Sequence, residues 1–265
     1  MKKLLILYPH GLGDCILLTP TLRNYFFNTG NKASVAILER FKSAKIFDNN
    51  PYVDNIIYTK DAWNDFDSPE EGFNIVKKQC EEWGKQNGYE KIVMPQHNDW
   101  RYSKILINFS YCDIKPTSVF TEIFTSDEDR KTAKNFIKQK VSNKPFGFVQ
   151  TVTGRPLANL PKGYGKLWLK KYKGLQNIIE AGIDFDISQF NINTQIEIMR
   201  LSSAVCLPDS VFSNACGAIG KPIDHLYFSP TWGIKGYKRV EPLHSVRQNV
   251  VYELDKSIIR ELEKI

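Results

Sequence analysis

Short runs of apolar residues alternate with polar, helix-length stretches along the 265-residue chain. Lys3 to Tyr8 is such a run, closed by Pro9 and Gly11, and it has the continuous apolar character of a strand buried on both faces of a parallel sheet. A helical pattern follows from Cys15 to Asn28, interrupted by Pro20. Ala33 to Leu38 and Asn55 to Tyr58 read as two further strands, the second preceded by the turn residues Asn49-Asn50-Pro51. Ser68-Pro69-Glu70-Glu71 combines a capping hydroxyl, a first-turn proline and a Glu three residues on, which predicts a helix to about Gln86, where Asn87-Gly88 stops it. Lys91 to Met94 supplies a fourth strand, and Ser126 to Asp129 opens a helix toward Val141.

Ser142-Asn143-Lys144-Pro145 reads as a linker, which sets two domains at residues 1–143 and 144–265. The second half repeats the alternation. It has strands at Phe146 to Gln150, Asp184 to Ile187, Ala204 to Leu207 and Ile223 to Phe228, with helices at Tyr172 to Ala181, Thr194 to Leu201 and Phe212 to Ile219. Leu254 to Ile265 is an amphipathic helix expected to pack back on the first half. Strands alternating with helices predict an α/β protein with parallel sheets, in two Rossmann-like halves.

Composition narrows this picture modestly. No segment approaches the roughly 20 apolar residues of a membrane span, and the apolar start Leu4 to Leu7 ends too soon for a signal peptide. The five cysteines are scattered without CxxC spacing, so the expectation is reduced thiols in a cytoplasm, with no disulfide framework and no zinc site. The net charge of +7 suits an anionic partner. A nucleotide-sugar with a phosphorylated glycolipid, a membrane surface and nucleic acid all fit, and charge alone does not choose.

Candidate chemistry collects where strands end. His10-Gly11-Leu12-Gly13-Asp14 lies between the first strand and the first helix, the carboxyl edge at which ligands bind in this architecture. Gly11 and Gly13 let a backbone come close to a ligand, and Asp14 is either an acceptor facing that ligand or a cap of the helix. The dinucleotide fingerprint fails for want of a third glycine at its spacing. Thr151, Thr153, Gly154 and Arg155 follow the first strand of the second half, with Lys166 nearby. Hydroxyls, a glycine and cations at such an edge suit phosphate oxygens, against the plainer reading of a solvated basic loop. Asp209, Ser210 and Asn214 follow an apolar strand and open a small-residue helix, either as an anion-facing helix start or as a simple cap. His97 is an acceptor-side candidate. The triplets Asp65-Phe66-Asp67 and Asp184-Phe185-Asp186 are too weak to read as metal pairs.

Taken together, the first-strand pattern through Gly11-Leu12-Gly13-Asp14 to Leu18-Thr19-Pro20, then Asn50-Pro51-Tyr52-Val53-Asp54, then Asp209 to Pro222 with its small residues and Gly220-Lys221-Pro222, resembles the heptosyltransferases of glycosyltransferase family nine. Val211 stands where that family usually has Gly, and Asn214 where it has His. The resemblance implies a GT-B-like fold whose two Rossmann-like domains face a central cleft. It also implies inverting, metal-independent transfer, with no resident cofactor, of a heptose or related sugar from a nucleotide-diphosphate donor as co-substrate to an acceptor hydroxyl, in lipopolysaccharide or surface glycan assembly. Asp14 would then be the general base. Thr151, Thr153, Gly154, Arg155, Lys166, Asp209, Ser210 and Asn214 would hold the donor, and an anionic glycan or glycolipid would be the acceptor. Work in the cytoplasm, including at the inner face of the membrane with peripheral contact, follows from such an acceptor. Two alternatives stay open: a DNA-modifying, viral-type glycosyltransferase, and a non-catalytic nucleotide-sugar-binding protein.

Overall fold

The computed structural model describes residues 3–62, 65, 67–96, 104–153, 159–186, 188–227, 248–251 and 253–264. Two compact units divide between Phe124 and Thr125.

The first unit is built on β1 (Leu4–Leu7), α1 (Leu12–Thr29), β2 (Ala33–Leu38), β3 (Val53–Thr59), α2 (Pro69–Gln86), β4 (Lys91–Val93) and α3 (Lys104–Cys112), with a short 3-10 turn at Glu39–Ala44. Its four strands are all parallel, in the order β3-β2-β1-β4. β1 and β2 occupy the middle and are buried along their whole length, which is why they read as uninterrupted apolar runs. Helix α1 runs through Pro20, whose missing N–H would orphan the carbonyl of Ile16. The Thr19 hydroxyl donates to that carbonyl at 2.8 Å and replaces the lost bond. The stretch after α3 is tied back to α1 by Asn24, whose Oδ1 accepts the Thr117 N–H at 2.7 Å, and by an Arg23–Glu122 ion pair at 2.9 Å.

The second unit holds α4 (Asp127–Val141), β5 (Phe146–Gln150), α5 (Tyr164–Lys173), β6 (Asn177–Ala181), α6 (Ile192–Leu201), β7 (Ala204–Pro208), α7 (Val211–Ala218), β8 (Ile223–Tyr227), β9 (Gln248–Val251) and α8 (Lys256–Leu262). Its sheet is also fully parallel, in the order β6-β5-β7-β8-β9. Ser126 caps α4 in a reciprocal box with Asp129. The other carboxylate oxygen of Asp129 accepts from Asn191 and Thr194 at 3.0 and 2.9 Å, which fastens α4 to α6. Ser142-Asn143-Lys144-Pro145 is therefore a tight turn inside this unit, with Ser142 and Asn143 both at positive φ, and not the point at which the units part.

Three local expectations change, and two elements are additional. The helix expected over Tyr172 to Ala181 is instead the end of α5, a stop at Gly174 in the left-handed region (φ 65°), and strand β6, because Ile178 and Ile179 pair with β5. The expected strand at Asp184 to Ile187 is a turn with one bridge, Ala181 to Phe185, while Ile187 lies outside the described residues. Helix α3 and strand β9 were not expected at all. The terminal helix packs within the second unit: Ile258 is buried among Leu160, Tyr164 and Leu169, with Ile259 and Leu262 beside it.

Gly165 lets α5 sit directly on the sheet. A Cβ there would lie 2.6 Å from Val149 Cγ1 and 3.4 Å from Cys206 Sγ. Gly165→Val should therefore overpack this contact and cost roughly 2 kcal/mol, a fall of several degrees in thermal midpoint. An unchanged midpoint would disprove the close approach. No described helix is long and apolar enough to cross a membrane, and all five cysteines are buried, none of them in a disulfide.

Candidate active site

The chain leaves the buried strand β1 through Tyr8, passes His10 and enters α1 at an N-cap formed by Gly11, whose backbone is extended (φ −62°, ψ 158°). Neither sterics nor φ demands glycine here, since a Cβ would lie an ordinary 3.6 Å from Asp14 Oδ2. Gly13 and Asp14 fall in the first turn of α1. The Asp14 N–H donates to Gly11 O at 2.9 Å, so the turn is closed by backbone and the carboxylate is not required as its cap. That carboxylate is paired: Lys104 Nζ lies 2.7 Å from Oδ1, with the two side chains 17% and 13% exposed. Lys104 comes from α3, which is pinned on α1 by Ile105 and Phe109 against Leu17, and by Asn108 Nδ2 donating to Leu17 O and to the Tyr8 hydroxyl, each at 3.2 Å.

His10 is held beside this pair. Its Nε2 is 2.8 Å from Pro95 O, and since a carbonyl only accepts, Nε2 carries the proton. The ring stands edge-on to Tyr8 at 4.8 Å. Burial pushes its pKa down, outweighing the upward pull of Asp14, so the ring is neutral at pH 7. His97 lies outside the described residues.

In the second unit the loops after β5, β6 and β7, three adjacent strands, emerge at one carboxyl edge. Thr151 follows β5 and its hydroxyl donates to Glu180 Oε1 on β6. Lys166, in the first turn of α5, places its Nζ 3.0 Å from the other oxygen, Glu180 Oε2. Thr153 is fastened locally, its N–H and hydroxyl both meeting Asn159 Oδ1 at 2.7 and 3.1 Å. The Leu160 N–H donates to Thr151 O at 3.0 Å, closing the loop between them. Gly154 and Arg155 lie outside the described residues.

After β7, the Asp209 N–H donates to Tyr227 O at 3.0 Å. The Ser213 hydroxyl accepts the Ser210 N–H at 3.1 Å and lies 2.6 Å from Ser210 O and 3.2 Å from Asp209 Oδ1. Asp209 and Ser210 stay half-buried at the opening of α7, whereas Asn214 is turned almost wholly inward. The structure thus joins Thr151 to Lys166 through Glu180, and Asp209 to Ser210 through Ser213.

Two partners went unforeseen. Lys104 lies in a stretch whose helix was not recognised. Glu180 carried a signal that could have found it: a carboxylate inside an apolar, β-branched run needs a buried partner. Three of the four acids in the two D-x-D triplets serve turns: Asp65 Oδ2 accepts the Asp61 N–H at 2.7 Å, Asp184 Oδ2 accepts the Glu180 N–H at 2.8 Å, and Asp186 Oδ1 accepts the Ser188 N–H at 2.8 Å. Among the described residues no group of three His, Cys, Asp or Glu could hold a metal ion.

No family model and no curated protein sequence matches the chain. Solved structures do. A family 9 glycosyl transferase from Veillonella parvula superposes with a TM-score of 0.67 at 13% identity, covering 100% of this chain and 89% of that one. The ADP-heptose LPS heptosyltransferase II of E. coli gives 0.62 at 12% identity, covering 99% and 97%. The chain has the family-nine glycosyltransferase fold. E. coli heptosyltransferase WaaC with ADP agrees, at a TM-score of 0.56 and 12% identity over 99% of both chains. In this GT-B-like fold the ends of β1, β5 and β7, where Asp14, Thr151 and Asp209 stand, are the strand ends at which an α/β sheet presents ligand-binding loops.

Proposed function

We propose that the chain is a glycosyltransferase that moves a heptose or related sugar from a nucleotide-diphosphate donor to a hydroxyl of an anionic glycan or glycolipid, with inversion and without a metal. The observation that carries this reading is Asp14, a carboxylate at the carboxyl edge of the first sheet, held at 2.7 Å by Lys104 in a fold shared with nucleotide-sugar enzymes. Donor binding is assigned to the second unit and acceptor binding to the first.

In the reaction the acceptor oxygen attacks the anomeric carbon from the face opposite the diphosphate. The new C–O bond forms as the bond to the diphosphate oxygen breaks, and one displacement inverts the centre. Asp14 takes the hydroxyl proton as attack proceeds. Negative charge then grows on the leaving diphosphate, where Lys166, the α7 start at Asp209 and Ser210, and the loop of Thr151 to Arg155 would offset it. Positive net charge favours the approach of both anionic substrates.

The test is a thermal-shift screen against ADP-, GDP-, UDP- and CDP-sugars. A donor at a hundred times its Kd should stabilise the protein by roughly 3 kcal/mol, a shift of several degrees, and Asp209→Ala should lose most of it. No shift with any nucleotide would reject the donor site.

A further inference from the structure

We infer that Glu180, steadied by the Thr151 hydroxyl, is a positioning residue that holds Lys166 in place for a diphosphate. This rests on the donor-site reading above and extends it to a residue that reading does not contain.

Glu180 is 1% exposed, the penultimate residue of β6, directly after Ile178 and Ile179. A carboxylate so placed is costly unless each oxygen is satisfied. Both are: Thr151 donates to Oε1, and Lys166 Nζ lies 3.0 Å from Oε2. The arrangement is asymmetric, because the Lys166 side chain is 44% exposed while its partner is buried. One face of the ammonium is thus anchored from within and the other is open to solvent. An ammonium has three N–H groups, and Glu180 needs one of them, which leaves donors for phosphate oxygens. The Thr151 hydroxyl has one proton and spends it on Glu180. Its part is therefore to steady the carboxylate, and toward an anion it offers only lone pairs.

Helix stability does not account for this lysine. Lys166 sits in the first turn of α5, the end at which the helix dipole disfavours a cation and favours an anion. The ten-residue helix and the lysine therefore present positive potential in the same place, and Glu180 offsets it from behind. An anion arriving from solvent at this point meets both, with the lysine already oriented and little rotamer entropy left to lose.

The test compares nucleotide binding by the wild type, Glu180→Gln and a double variant, read by calorimetry with ADP, GDP, UDP and CDP as probes and with the matching nucleosides as controls. Glu180→Gln should weaken the bound diphosphate roughly ten- to a hundredfold while leaving the nucleoside unchanged, since it frees the lysine without touching the base or ribose. Lys166→Met alone strands a buried carboxylate and is prone to unfold, so the double variant Lys166→Met/Glu180→Gln serves as its foldable counterpart. That double variant should bind the diphosphate no more weakly than Glu180→Gln beyond about threefold, because the two residues act as one unit. Wild-type affinity in Glu180→Gln, with loss only in the double variant, would overturn the positioning role while leaving the donor site standing. Equal loss for diphosphate and nucleoside would also overturn it, as that marks general disruption. Failure of every diphosphate to bind the wild type would overturn the donor site and this inference with it.

Discussion

Asp14→Asn should leave the protein folded and able to bind nucleotide, yet cut sugar transfer roughly a thousandfold, within the span usual for losing a general base. Asn keeps an oxygen for Lys104 and nearly the same volume, so the α1 to α3 contact at 2.7 Å survives in form. What it lacks is a basic lone pair to take the acceptor proton. The turn itself does not depend on the carboxylate, since the Asp14 N–H is already satisfied by Gly11 O. The assay compares turnover and donor affinity in one preparation, using the donor class that the thermal screen identifies. Turnover within tenfold of wild type would remove Asp14 from the base role, and a parallel loss of donor affinity would make it a structural residue.

Stability should fall as the solution is acidified from about pH 6.5 to 4, and His225 should be the main cause. β8 places its ring 5.5 Å from Tyr164 and 4.8 Å from Trp168, at 4% exposure, and Nε2 has no hydrogen-bond partner among the described residues. Burial pushes its pKa down to about 4, against a weaker upward pull from Asp255. In the unfolded chain the same group titrates near the ordinary histidine value of about 6.5. Acidification therefore protonates the unfolded chain first, and between these two values stability drops with falling pH, by roughly 3 kcal/mol in total. Above about 6.5 both states are neutral and the effect vanishes. His10, also pushed down by burial, acts in the same direction in the first unit. Hydrogen exchange of the α5 amides reports on the second unit alone and should show protection falling over this range. His225→Leu should flatten that dependence. An imidazole titration near 6.5 in the folded protein would refute the account.

These expectations rest on residues of two kinds. Asp14 was legible because strand, turn and helix start are local events: a buried parallel strand must be apolar throughout, and its exit must turn within a few residues. The same logic recovered β1, β2, β5, β7 and β8, and the capping residues Ser68 and Ser126, whose bonds reach only three positions along the chain. Where two local signals competed, reading by pattern failed. Leu175 to Ala181 has apolar residues at helical spacing, and only pairing with β5 makes the latter part of it a strand.

Composition and local pattern alone thus determined the α/β class, the parallel alternation and the strand ends where chemistry collects, because each depends on neighbours a few residues away. Tertiary structure alone decided which charges meet. Lys104 reaches Asp14 across 90 residues, and Glu180 joins Thr151 from 29 residues away. No periodicity encodes such pairs: they exist because parallel sheets bring separate strand ends and helix starts to one edge, and because a carboxylate buried there is tolerated only beside a donor or a cation.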